Sequence, residues 1–218
     1  MTAKQLKIDF VSDVSCPWCA IGLKSLEQAL GNLDGQVKAE LHFQPFELNP
    51  QMVPEGEEIN EHLQRKYGAS LDQLQATRQA IRERGAALGF KFSVEARDRI
   101  YNSFDAHRLL HWAGLQGGSF QRDLKLALLG AYFTDGLNPG DHETLVARAA
   151  SVGLDAATAH EVLISGQYTA EVRERQAFYN SQGIHSVPSV IINDRHLIQG
   201  GQPPEVFQQA LLQIAAQG

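Results

Sequence analysis

Residues 6–30 read LKIDFVSDVSCPWCAIGLKSLEQAL, and this stretch decides the fold. Leu6 to Val11 is a short run of β-branched and aromatic side chains, the pattern of a buried strand. From Ala20 to Leu30 the pattern changes period. Ile21, Leu23, Leu26 and Leu30 form a helical apolar stripe, and Gly31 supplies a stop. Between the two elements lies Cys16-Pro17-Trp18-Cys19. A C-x-x-C pair at a strand-to-helix junction is a redox signal before anything else in the chain is read.

Working outward, Val37 to Phe43 alternates apolar and polar residues, a second strand, so the chain opens β–α–β. Strands joined through a helix in this way run parallel and belong to α/β architecture. Gln44 to Glu57 carries three prolines and reads as a loop. From Glu58 to Gly166 the apolar spacing is helical nearly throughout. Ser70 with Gln73 forms a capping-box signature, and Asp141 and Asp155 stand as N-caps. Thr169 to Gln182 is a further helix. Strand chemistry then returns at Val187 to Ile192, followed by an Asn193-Asp194 turn into His196 to Ile198, a hairpin. Pro203-Pro204 opens a last helix. The order is β-α-β, helical block, α-β-β-α. Residues 1–57 and 167–218 therefore make one small sheet-and-helix domain, and 58–166 is an all-helical insertion.

The spacing gives the cysteines their chemistry. Two residues three apart at a helix start face the same side, which suits a disulfide. The first thiol lies by the unpaired N–H groups and the positive end of the helix dipole, both of which favour a thiolate. Cys16 is thus the expected nucleophile, and Cys19, one turn inside, the resolving thiol that attacks the mixed disulfide. Pro17 occupies a position where its missing N–H costs little, and Trp18 faces outward as an apolar rim for substrate. Val187-Pro188 starts a strand; beside a C-x-x-C the expectation is a cis bond that leaves the Val187 backbone open to an extended substrate.

Composition narrows the remaining classes. The chain has 218 residues, long enough to bury roughly 70% of its unfolded surface without staples. Its 19 Lys+Arg against 25 Asp+Glu give a net charge of −6, without the basic stripe that nucleic acid requires. No apolar run nears the roughly 20 residues of a membrane span, and MTAKQLKIDF carries no apolar leader, so the expectation is a cytoplasmic protein without membrane partners. With two cysteines in all, a zinc site would need other ligands. His107 and His111, four apart, are the one ligand-like pair, and no metal is expected. No phosphate-binding glycine motif implies a nucleotide.

The same residues carry a resemblance. SDVSCPWCAIG resembles the active-site stretch of DsbA-like thioredoxin-fold oxidoreductases, and of the FrnE-like branch in particular. FQPFELNP at Phe43 to Pro50 is similar to that family's proline-rich stretch after the second strand. NSFDAHRLLHWA at Asn102 to Ala113 is similar to the family's N-T-x-x-A-H-R-L helix start, and GIHSVPSVIIN at Gly183 to Asn193 to its cis-proline segment. The resemblance implies a thioredoxin-like fold interrupted by the helical insertion. It implies Cys16 as nucleophile, Cys19 as resolving thiol and Pro188 as cis proline, in a thiol–disulfide oxidoreductase with protein or small-molecule thiols and disulfides as partners. Ala20 stands where the family has Tyr, which alters the rim of the site. The related 2-hydroxychromene-2-carboxylate isomerases and kappa-class glutathione transferases generally carry Ser at the place of Cys16. A glutathione-dependent isomerase or transferase is therefore the alternative, with glutathione as a candidate co-substrate and no resident cofactor. A client-binding module without redox chemistry is a third reading. Monomer and homodimer are both open.

Other polar residues have two readings each. Asn102 and His107 are candidates for lining the site from the helical block, or a helix cap and a core histidine. Asp13 caps the loop or relays a proton of Cys19. Asp9 is a buried carboxylate if its strand is central, and inert otherwise.

Overall fold

The computed structural model describes residues 3–93 and 96–217. Its main sheet has the order β2-β1-β5-β6, with β1 (Lys4–Ser12) parallel to β2 (Val37–Pro45) and antiparallel to β5 (Ser189–Ile192), which pairs in turn with β6 (His196–Gln199). β1 is therefore central, as its continuous apolar run demands. Helix α1 (Pro17–Asn32) is the crossover between the parallel strands and packs beside α9 (Pro204–Gln217). The β5–β6 turn places Asn193 and Asp194 at φ 53° and 55°, the left-handed pair that a two-residue hairpin needs. Asn193 Oδ1 accepts the Lys7 N–H, which ties the turn to β1.

Between β2 and α8 (Thr169–Ser181) lie α2 (Ile59–Tyr67), α3 (Leu71–Ala87), α4 (Phe104–Leu115), α5 (Phe120–Phe133), α6 (His142–Ser151) and α7 (Ala156–Ile164). The caps read from sequence form: Ser70 and Gln73 close a reciprocal box, Asp141 accepts from Thr144 N and Asp155 from Thr158 N. Buried Arg108 reaches from α4 to the Leu163 carbonyl in the last turn of α7 and to the Gln167 carbonyl in the loop beyond it.

The block is less uniformly helical than its spacing suggests. A two-stranded ribbon pairs β3 (Glu57–Glu58) with β4 (Arg99–Ile100), and the chain after Gly89 is irregular. Pairs of two residues leave no alternation to read. The irregular stretch is held instead by aromatic packing, Phe90 on Phe92 and Phe92 on Phe133 with ring centroids 4.8 and 5.2 Å apart.

Two buried clusters meet at the cysteine loop. Cys16 and Cys19 belong to the sheet core with Ile8, Phe10, Leu23 and Val190, whereas Val14 belongs to the helical core with Leu109, Leu124 and Leu128. Residues two apart in the loop are anchored in different layers, so the thiols sit at the seam between sheet and helices. Helix α5 serves both sides, with Leu128 in one cluster and Leu129 in the other.

Candidate active site

Cys16 is the residue where loop becomes helix. Its backbone is extended (φ −96°, ψ 114°) and Pro17 is the first helical residue. Proline suits that place because the first helical N–H groups have no intrahelical partner. The Cys16 carbonyl accepts from Cys19 N and Ala20 N at 3.1 and 3.4 Å, the bonds that fix the first turn. The two cysteines come within 3.3 Å of one another and both are free thiols. Cys16 Sγ lies 3.8 Å from the Val187 carbonyl oxygen, and the Val187–Pro188 bond is cis. Cys19 is fully buried. Burial, and then the neighbouring Cys16, pushes the Cys19 thiol well above its ordinary value, and the charge of Lys125 offsets this only in part.

Beneath the thiols is a buried polar group. Asp13 has no solvent exposure, and its carboxylate accepts Ser15 N at 3.1 Å and Leu48 N at 2.7 Å. His107 Nε2 stands 3.5 Å from Asp13 Oδ1. Burial alone would raise this carboxyl; the His107 ring and the two backbone N–H groups outweigh it and hold the group well below the usual carboxylate range. The proline-rich loop after β2 is what brings Leu48 here. Lys66 Nζ donates to the Leu48 carbonyl at 2.7 Å, so Leu48 is held from both sides. The loop-capping reading of Asp13 thus has its two N–H donors.

The mouth of the site is formed by close approaches. A Cβ on Gly22 would lie 3.0 Å from Pro188 Cγ, and one on Gly201 would lie 3.0 Å from the Trp18 carbonyl oxygen. The glycines let the Pro188 segment and the turn after β6 close onto the first turns of α1. Trp18 is half-buried rather than fully outward, with the Arg84 guanidinium 5.3 Å from its ring centroid. Asn102 is engaged with backbone: Oδ1 accepts Phe104 N at 2.8 Å and Nδ2 donates to the Met52 carbonyl at 3.2 Å. It lies one residue before Ser103, the N-cap of α4, and accepts the first helical N–H, while His107 alone of the two helical-block candidates is brought against the cysteine loop.

Asp9 sits on the central strand, 2% exposed, and is met by Lys7 at 3.0 Å and Gln44 Nε2 at 2.6 Å. It neighbours Val11, whose cluster contains Tyr179 and Ile184, away from the Ile8–Phe10 core. Lys125 was not singled out by motif, yet it is 1% exposed and electrostatically linked to Cys19, Asp13 and Cys16. The signal was present: Lys125 interrupts the apolar run from Leu124 to Phe133, and Leu128 and Leu129 at i+3 and i+4 put it on the buried face. Among the described residues no group of three or more His, Cys, Asp or Glu is arranged to hold a metal ion. No helix among them is long and apolar enough to cross a membrane.

A dithiol at the start of the first helix of a β-α-β unit faces an X-Pro segment that opens a later strand, in a thioredoxin-like fold. The chain belongs to the DSBA-like thioredoxin domain family, whose model matches residues 7–212. It is 31% identical to a probable DsbA oxidoreductase of Streptomyces coelicolor, with a TM-score of 0.90 over 98% of this chain and 91% of that one. It is 27% identical to the Bacillus subtilis protein YwbO over 94% of each chain. At the level of fold alone it is similar to a 2-hydroxychromene-2-carboxylate isomerase, 15% identical with a TM-score of 0.70 over 97% of each chain. The same holds for the cytosolic disulfide reductase DsbM of Pseudomonas aeruginosa, solved with GSH: 17% identical, TM-score 0.65, over 97% of this chain and 100% of that one.

Proposed function

We propose that the protein is a cytoplasmic thiol–disulfide oxidoreductase that works through Cys16 and Cys19. The observation that carries this reading is the pair of free thiols 3.3 Å apart at the start of α1, with Cys16 Sγ beside the Val187 carbonyl. In the reductive direction the Cys16 thiolate attacks one sulfur of a substrate disulfide. The Cys16–substrate bond forms, the substrate S–S bond breaks, and the leaving thiolate takes a proton from water. Cys19 then loses its proton and attacks Cys16 Sγ, expelling the second substrate thiolate. The substrate gains two electrons and the protein is left with a Cys16–Cys19 disulfide, which a small thiol such as glutathione reduces by the same exchange. The Val187 backbone holds the extended part of the substrate and Trp18 its apolar part, so both protein and small-molecule disulfides fit.

The reading is tested by insulin reduction with dithiothreitol and by trapping. Cys16→Ser is expected to abolish turnover, and Cys19→Ser to accumulate a mixed disulfide on Cys16 visible by mass spectrometry. Wild-type turnover in Cys16→Ser would overturn it. A glutathione-dependent isomerase or transferase is the second reading, favoured by the likeness in fold to the isomerase and to the glutathione-bound reductase. It requires glutathione-dependent turnover that survives Cys19→Ser.

A further inference from the structure

Beside β2, under α4 and α5, lies a cavity of about 170 Å³ that none of Cys16, Trp18, Val187 and Pro188 lines. Its walls include His42, His107, His111, Gln121, Lys125 and Arg175, and no Asp or Glu is among its lining residues. We propose that this cavity is a binding site for a small tetrahedral oxyanion of the phosphate or sulfate class, held by Lys125 from within and by His111 and Arg175 at the opening. The proposal does not rest on the redox reading.

Lys125 is the centre of the argument. It is 1% exposed and has neither an ion pair nor a side-chain hydrogen bond with any described residue. A largely buried ammonium without a side-chain partner is unfavourable unless it neutralises or is compensated. Burial does push Lys125 below its ordinary value, against the influence of Cys19, Asp13 and Cys16. The acids nearby are already engaged. Asp13 accepts from Ser15 and Leu48, and Glu40 lies 3.1 Å from His42 at the rim. Burial pushes the His111 ring below its ordinary value, with the Arg175 charge acting the same way and Glu171 against it. His107, a further wall residue, is turned to Asp13, its Nε2 3.5 Å from Asp13 Oδ1, and is left out of the proposed donor set. Gln121 keeps its shape because its amide pairs with Phe43 N and O, as a neighbouring strand would. Roughly 10–15 Å³ of such space holds a water, so the cavity accommodates an anion of five heavy atoms with its donors in reach. Charge-assisted bonds from an ammonium and a guanidinium to one anion are the strong kind, and a neutral imidazole still donates one N–H.

The test is calorimetric titration of the reduced full-length protein with sodium phosphate, sulfate and acetate at constant ionic strength. Phosphate or sulfate is expected to bind saturably at one site per chain, undisplaced by glutathione. Lys125→Met is expected to weaken that affinity about tenfold or more, and Arg175→Gln or His111→Gln about threefold. The proposal is overturned by the lack of saturable binding to the wild type, or by unchanged affinity in folded Lys125→Met. It also fails if acetate binds as tightly as the tetrahedral ions. Should Lys125→Met fail to fold by circular dichroism, the two rim variants decide, and unchanged affinity in both overturns it.

Discussion

Asp13→Asn separates a structural carboxylate from a bystander. The side chain is fully buried and accepts two backbone N–H groups, Ser15 at 3.1 Å and Leu48 at 2.7 Å, with His107 3.5 Å away. Asparagine keeps one acceptor and turns the other into a donor, so one of the two N–H groups loses its partner. A net hydrogen bond to a charged group contributes about 1.5–3 kcal/mol, and an orphaned buried donor adds a penalty of similar size. Relief from burying a charge works in the opposite direction. The expected loss is about 2–4 kcal/mol at pH 7, which at roughly 2–4 °C per kcal/mol for a chain of this size is a large fall in Tm. The pH dependence identifies the cause. Because the folded carboxyl is held below its unfolded value, its contribution is complete above that value, about 3.9, and is lost as pH falls toward the folded one. The gap between wild type and Asp13→Asn therefore narrows by about 1.4 kcal/mol per unit below about pH 4. Urea denaturation at pH 7 and pH 3 measures both quantities. Equal midpoints at pH 7, or a gap of the same size at the two pH values, would refute the reasoning.

Three further outcomes follow from the same geometry. Both thiols are buried, Cys16 at 3% and Cys19 at 0% exposure, but Cys19 is also held protonated, so iodoacetamide at neutral pH should label Cys16 first and reach Cys19 only on unfolding; peptide mapping that finds Cys19 labelled first would contradict this. Gly22→Ala gains about 1 kcal/mol of helix propensity but sets a methyl group 3.0 Å from Pro188 Cγ, where overpacking costs about 1–3 kcal/mol. The expected result by calorimetry is a small net destabilisation with slower disulfide exchange, and a stabilised, fully active variant would show that the approach is slack. Gln121→Ala strips the pairing from Phe43 at the edge of β2 and should destabilise by about 1–3 kcal/mol with faster exchange of the Phe43 amide; unchanged protection would mean that another group covers that edge.

The order of elements and the cysteine junction were legible because they rest on local patterns. A β-branched run, a change of period and a capping residue are all visible within a few positions, so β1, α1, the Asp141 and Asp155 caps and the hairpin turn could be read directly. The β3–β4 ribbon was not, because two-residue pairing between positions about forty apart has no periodic signature. The surroundings of the thiols divide the same way. Cys16, Cys19 and Pro188 announce themselves by motif, whereas their polar support is assembled from distant segments: Leu48 from the loop after β2, His107 from α4, Lys125 from α5.

That division has a physical basis. A motif names groups that react, and reactivity is a property of residue type and local backbone. What sets the strength of a reacting group is the field around it, and that field is made by side chains whose burial depends on the whole fold. Lys125 shows how far sequence could have gone. A single cation on the apolar face of a helix that continues as Leu128, Leu129, Tyr132 and Phe133 has to be buried with a partner or beside a cavity. The helical period alone places it inside. Only the fold says that it lines a basic cavity while its charge also acts on Cys19, and so links the environment of that thiol to the cavity wall.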